Sequence, residues 1–302
     1  MIQNGSTIKY MYQYKLQTLL DHIEGAYAEN TIRAYRIDMS DFIAYCDGIT
    51  TSPWPAEPDT VATYLLDHLN RDLKVSTIQR RYNTISAIHR LSHITDPTKH
   101  PEVRLAMRKI KRTLGVRPEQ AAPINHTLLE RMLAVCGNDQ RSLRDRALLL
   151  TAYDSMCRRS ELVAVTVSDI QYDLRDNAML HIRRSKTDQL GTGQRVPLTT
   201  RTVAAIDRWL ESAEIVDGCI FRGINNKGEL LDGINSGQVN RIYKRLAKWA
   251  GLNDEEVLGI RGHSFRVGAA QDLALAGATV PQLLAKGRWS KIDTMYRYIQ
   301  SL

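Results

Sequence analysis

At 302 residues and 34.3 kDa the chain exceeds what one hydrophobic core usually organises, so two domains are expected. A hydrophobic content of 43% with 25% charged residues excludes a disordered chain, and 41 Lys+Arg against 33 Asp+Glu leave a net charge of +8 that favours a polyanionic partner. Four scattered cysteines (Cys46, Cys136, Cys157, Cys219) without a CxxC exclude a disulfide framework or a zinc site, and free thiols suit a reducing cytosol. No HExxH, Cys/His cluster, signal peptide or apolar run of about 18 residues is present, so no metal, cofactor or membrane span is expected and the protein reads as cytoplasmic.

The first third reads as helices. In "AENTIRAYRIDMSDFIAYCDG", Ile32, Tyr35, Met39, Phe42 and Ile43 fall at helical spacing, with Asn30 or Thr31 as the expected cap. "TSPWPAEPD" breaks the pattern with three prolines. Val61, Tyr64, Leu65 and Leu69 mark a second helix, and Ile78, Tyr82, Ile85 and Ile88 a third, whose Arg80 and Asn83 face outward as DNA-binding candidates. Residues 103–118 then carry Arg104, Arg108, Lys109, Lys111, Arg112 and Arg117 without one acidic residue. Such a run is either a solvated helix face or a strap that tracks a polyanion. "TLGVRPEQAAPIN" follows as a linker. The expected division is a helical domain at 1–112, a linker at 113–124 and a second domain at 125–302.

The second domain is mixed. "TLLERMLAVCG" and "SLRDRALLLTAYDSM" are helical. In 178–198 the period changes to two: Met179, His181 and Arg183 alternate with Leu180, Ile182 and Arg184, Gly191 and Gly193 interrupt, and "QRVPL" resumes. This predicts a β-hairpin with a polar tip. Helices follow at about 199–213, 236–250 and 264–276, with a shorter one from Pro281. The fold class is therefore mainly α with a small antiparallel β-sheet.

Four constellations carry possible chemistry. "GHSFRVGAAQDLALAG" places His263 and Arg266 at i, i+3 on one face near a helix N-terminus, which suits a phosphate oxygen. HxxR recurs at His68–Arg71, expected on a surface helix, and at His181–Arg184, so spacing alone does not select the pair. "SMCRRSELVAVTVSDI" places Arg158 and Glu161 at i, i+3, which by itself is a local ion pair. Lys186 sits on the hairpin tip, and Trp289 precedes Tyr298 by nine residues near the end of the chain, where docking aromatics are common.

Order resolves these. Arg158, Lys186, His263, Arg266, Trp289 and Tyr298 occur in the sequence of the active-site residues of the tyrosine recombinases, the family of phage integrases and of Xer and Cre recombinases. The chain resembles that family through "RRSELVAVTVSDI", "RSKTDQLGTGQRVPL", "GHSFRVGAAQDLALAGATVPQLLAKGRW" and "YRYI", strongly over 125–302 and in pattern only over 10–112. Trp289, where many members carry His, is similar to the Cre-like branch. The resemblance implies a two-domain DNA clamp, a helical core-binding domain with a mixed catalytic one. It implies strand cleavage and rejoining through a 3′-phosphotyrosine and a Holliday junction, by a homo-tetramer on double-stranded DNA with inverted-repeat arms, with accessory proteins in some members.

The residues suit that chemistry. Attack on a phosphodiester builds a second negative charge, which Arg158 and Arg266 can meet without a metal. Tyr298, with a hydroxyl that ionises near pH 10, needs a base, and His263 is placed to take its proton. The resemblance assigns Lys186 as the acid for the departing 5′-oxygen and Trp289 as an indole donor to a phosphate oxygen; Glu161 would orient the Arg158 region. Arg159, where relatives often carry an apolar residue, is a phosphate contact or a surface charge. Tyr296 lies about 200° around a helix from Tyr298 and is expected to pack. Only four residues follow Tyr298, so protomer docking is expected elsewhere than in a trailing helix. A type IB-like topoisomerase or hairpin-forming resolvase shares the covalent step and would differ in its site requirement. A DNA-binding regulator without catalysis has no use for all six positions.

Overall fold

The computed structural model describes residues 4–115, 119–175, 177–183 and 193–300. The chain divides between Glu119 and Gln120 into two compact units.

The first unit is helical: α1 (Asn4–His22), α2 (Glu29–Gly48), α3 (Pro58–Asp67), α4 (Val75–Leu91) and α5 (Pro101–Leu114). Proline opens α3 and α5 at a position whose N–H has no intrahelical partner, and Asp96 caps the short 3-10 turn before α5 through Thr98. The apolar stripes converge on one core around Met39, Phe42, Ile43, Leu65, Ile78, Ile85, Ile88 and Ile110. Each such side chain contributes about 1.5–3 kcal/mol on burial, enough to set the helix faces. α2 begins earlier than its sequence suggests: Ala28 is the cap residue, without a side-chain bond, and Asn30 and Thr31 lie inside the helix. His68 is a second correction. It closes α3 fully buried, where Arg81 Nη1 meets its Nε2 at 2.8 Å and also donates to Asp41 at 2.6 Å, while the Tyr64 hydroxyl donates to Asp41 at 2.8 Å. Its HxxR partner Arg71 pairs with Asp67 instead.

The second unit contains α6 (His126–Ala134), α7 (Gln140–Ser155), α8 (Arg159–Leu162), β1 (Ile170–Tyr172), β2 (Ala178–Ile182), β3 (Gln194–Pro197), α9 (Thr200–Ser212), α10 (Ser236–Trp249), α11 (Asp254–Gly259), α12 (Ser264–Leu275), α13 (Val280–Gly287) and α14 (Ile292–Ile299). The strands form one antiparallel sheet in the order β1-β2-β3, with Leu180 opposite both Ile170 and Val196. Ala178, Leu180 and Ile182 point into the core and the residues between them outward, as the period of two requires. β1 escaped the sequence because three residues are too few to show a period. β2 and β3 are the arms of the expected hairpin; its tip, with Arg184 and Lys186, lies outside the described residues, as does Arg117.

α7 is buried on nearly every face, from Arg144 through Ala152 to Ser155. It ends where Met156 turns left-handed, at φ 50. The main core gathers against it, with Leu148, Leu149, Trp209, Phe221, Tyr243 and Phe265. A separate small cluster (Met156, Ala269, Ala270, Leu283, Trp289, Met295) joins the end of α7 to α12, α13 and α14, and the candidate site stands on it.

Candidate active site

Two short sequence patterns are built as helix starts. Arg158 is the cap residue of α8 and Glu161 its third helical residue; the Glu161 carboxylate accepts the Arg158 backbone N–H at 2.9 Å, closing the first turn. The same carboxylate accepts Arg158 Nη1 at 2.7 Å. Glu161 is buried, whereas the Arg158 side chain keeps an 18% exposed edge. The i, i+3 pair is therefore a local ion pair, as its spacing suggests, and it also aims one guanidinium at the surface. His263 is the residue before α12, without a side-chain bond to the helix start, and Arg266 follows one turn later.

Arg266 is only 1% exposed. Its Nη1 donates to the Met156 carbonyl at 2.8 Å and its Nη2 to the Gly287 carbonyl. The guanidinium carbon lies 5.0 Å from the Trp289 ring centre and 5.7 Å from that of Tyr298. Burying a cation costs several kcal/mol. Two charge-assisted bonds at about 1.5–3 kcal/mol each and two aromatic faces at about 0.5–2 kcal/mol each are of the same size. Burial brings the Arg266 pKa down to about 10, with Arg158 and Arg288 adding to the fall, and the group remains a cation at neutral pH.

Trp289 and Tyr298 stack with ring centres 4.8 Å apart and planes at 36°. Gly287 makes room for the indole, since a Cβ there would lie 2.1 Å from it. Trp289 Nε1 and Arg266 Nε are buried donors without a hydrogen-bond partner among the described residues. In the last turn of α14, the Tyr298 carbonyl accepts Gln120 Nε2 at 3.1 Å and Gln271 Nε2 at 3.3 Å. Tyr296 is 45% exposed, so it does not pack as expected; the turn of the helix points it to solvent. His263 is exposed. Loss of hydration on its protein side, then the charges of Arg266, Arg158 and Arg159, hold its pKa below the ordinary histidine value, and the ring is neutral near pH 7.

The structure thus draws Arg158, Glu161, His263, Arg266, Trp289 and Tyr298 together. Arg159 stands beside them, its Nη1 on the Ser236 carbonyl at 3.0 Å and its stem across Gly262. In the first unit, Arg80 forks onto the buried Asp38 at 2.8 and 2.9 Å, and Asn83 accepts a bond from Gln79. Arg104, Arg108, Lys109, Lys111 and Arg112 are all exposed on α5, opposite Val103, Ala106, Met107 and Ile110. The sequence reading missed Arg288, a buried cation at the centre of the site, and Gln271. Both lie within the "GHSFRVGAAQDLALAGATVPQLLAKGRW" stretch, but neither forms a spaced pair with a partner there, and packing reveals what they touch. Among the described residues no group of three or more His, Cys, Asp or Glu could hold a metal ion, and no helix is long and apolar enough to cross a membrane.

A helical unit joined to a mixed unit that gathers two arginines, a histidine, a tryptophan and a tyrosine is the architecture of a DNA strand-exchange enzyme. The phage integrase family matches residues 123–302, and the chain belongs to that family, the tyrosine recombinases. Along nearly its whole length it is similar to the recombinase Cre of Escherichia phage P1, 28% identical over 92% of this chain and 85% of the relative. It is also similar to the integrase/recombinase XerD homologue of Selenomonas ruminantium, 31% identical over 92% of this chain and 83% of the relative. Among solved structures, the XerH site-specific recombinase in a post-cleavage complex with palindromic difH shares the fold, with a TM-score of 0.64, 16% identity, and coverage of 95% and 80% of the two chains. The Tn1549 transposon integrase in complex with circular intermediate DNA does likewise, with a TM-score of 0.63, 16% identity and 94% coverage of both.

Proposed function

We propose that the chain is a site-specific recombinase in which Tyr298 attacks the scissile phosphate and forms a 3′-phosphotyrosine. The bond from Tyr298 Oη to phosphorus forms as the bond to the 5′-oxygen breaks. Neutral His263 takes the phenol proton, and the 5′-oxygen takes one from Lys186. Arg158 and Arg266 meet the charge that grows on the non-bridging oxygens, and the Trp289 indole N–H donates to one of them. Arg158 is held in place by Glu161. The phosphoester energy is kept in the covalent bond, so a second 5′-hydroxyl can attack and rejoin the strand to another partner.

The observation that carries this reading is the stacking of Tyr298 on Trp289 with the Arg266 cation 5.7 Å from the tyrosine ring. That arrangement seats one terminal tyrosine among cations and leaves the other in solvent. Membership of the tyrosine recombinases supports a fuller reading, in which exchange runs through a Holliday junction by four protomers on two duplexes with inverted-repeat arms. The helical domain at 1–112, within the first unit, would grip the duplex with Arg80, Asn83 and the basic face of α5, and residues 125–302 would carry the chemistry beside Arg159. The reaction belongs with DNA in the cytoplasm. On a nicked suicide substrate, Tyr298→Phe is expected to bind DNA as the wild type does and to form no covalent adduct, while Tyr296→Phe forms it normally. An adduct formed by Tyr298→Phe would overturn the assignment.

A further inference from the structure

We infer that Arg288 is a positioning residue for strand cleavage: it neutralises Glu161 and clamps the Ser155–Met156 turn, so that Arg158 keeps both its place and its positive charge for the scissile phosphate. The inference rests on the assignment of Arg158 to that phosphate.

The argument starts from the backbone. Arg288 follows α13 in the left-handed region, at φ 52 and ψ 48, a conformation that glycine adopts with less strain. A long side chain at such a position needs a reason, and its contacts supply one. The side chain is 3% exposed and its guanidinium reaches across to the end of α7. Nη1 donates to the Ser155 carbonyl at 2.8 Å, and Nη2 to Glu161 Oε2 at 2.7 Å and the Met156 carbonyl at 3.4 Å. Arg266 donates to the same Met156 carbonyl, so cations from two elements close on one turn. Arg158 lies two residues beyond that turn.

The charges give the second half. Glu161 accepts Arg158 Nη1 at Oε1 and the Arg158 backbone N–H at Oε2. Without Arg288, the buried carboxylate and Arg158 would form a one-to-one pair, and much of the field that Arg158 offers an anion would be cancelled. With Arg288 on the other side, two guanidinia share one carboxylate and a full positive charge remains. Glu161 then holds Arg158 without consuming it.

Three substitutions test this: Arg288→Met, which keeps length and removes charge; Arg288→Gly, which relaxes the left-handed backbone; and Arg288→Met with Glu161→Gln. Melting curves check that each folds. The readout is the rate of covalent adduct formation on two suicide substrates, one with a normal scissile phosphate and one with an uncharged methylphosphonate there. Arg288→Met is expected to slow adduct formation on the normal substrate by about tenfold to a hundredfold, with DNA affinity within about threefold of wild type. Glu161→Gln should recover part of the loss, because the unbalanced carboxylate is gone. The defect should shrink on the methylphosphonate, which is neutral before attack and carries one negative charge fewer than the phosphodiester in the transition state, so it asks less of Arg158. Wild-type rates for Arg288→Met and Arg288→Gly would overturn the inference. So would an equal defect on both substrates with no recovery by Glu161→Gln, since Arg288 would then serve only the fold. Arg158→Met, run beside them, separates the two layers: if it forms the adduct normally the assignment of Arg158 fails, and if it is inactive while the Arg288 variants are normal only this inference fails.

Discussion

Gly268 offers a direct test of how packing sets the active site. It lies on α12 where the helix presses against the extended segment before α6, and a Cβ built there would stand 2.0 Å from the Ile124 carbonyl oxygen and 2.2 Å from its carbon. The partner is backbone, held by the Ile124 N–H bond to the Ser264 carbonyl at 3.0 Å, so no flexible side chain can move aside. Restoring an ordinary contact near 3.4 Å would need a displacement of about 1.4 Å, the difference from 2.0 Å. Overpacking of this kind costs about 1–3 kcal/mol. In a unit of this size each kcal/mol lowers the melting temperature by about 2–4 °C, so Gly268→Ala should lose about 2–12 °C. The same displacement moves His263 and Arg266, which ride on α12, and a shift of about 1 Å in a reacting group can cost about a hundredfold in rate. Calorimetry and the suicide-substrate rate measure the two effects. Gly48→Ala is the control: it lies in α2 with nothing within 4 Å of a new Cβ, and it should leave both readings unchanged or raise stability slightly. If Gly268→Ala melts and cleaves as the wild type does, the close approach of α12 does not position the site.

Acid should weaken the first unit through His68. Burial, then Arg81 and Arg71, bring its pKa from 6.5 down to about 4, so the unfolded chain takes up a proton that the folded one refuses. Stability is complete above about pH 6.5 and falls as pH drops toward 4, by about 3 kcal/mol over that window. Urea unfolding at about pH 7 and pH 4.5 measures the loss, which should be smaller in His68→Asn; equal losses in the two proteins would refute the assignment. On α5, Arg104, Arg108, Lys111 and Arg112 fall within roughly 100° of the helix circumference. Replacing Arg104 and Arg108 by Gln should flatten the dependence of log affinity on log salt by about 0.9 for each phosphate that is no longer neutralised. An unchanged slope in that double variant would remove α5 from the DNA interface.

Local patterns reach a definite distance in this chain. The helices of the first unit follow from apolar residues three and four apart, and the β2–β3 pair from an alternation of two, because these periods are imposed by the backbone itself. The order of Arg158, His263, Arg266, Trp289 and Tyr298 along the second unit is enough to name the family and nominate the site, since each residue type carries its own chemistry wherever it is placed. The start of α2 and the burial of His68 escape such patterns for one reason: a polar side chain near a helix end can cap, face water or join a buried network, and neighbours distant in sequence choose among these.

The sequence by itself determined which side chains are present, their helical faces and the excess of positive charge. Tertiary structure alone decided how charge is shared at the centre: Arg288 comes from the end of α13 to a carboxylate 127 positions earlier, and Arg266 slides beneath two aromatic rings from α13's exit and α14. It also decided which of the two tyrosines, set on opposite faces of α14 by their spacing, turns inward: Tyr298 does, and Tyr296 faces outward. Such pairings depend on where separate elements come to rest against one another. That is fixed by the packing of the whole unit, which no local spacing encodes.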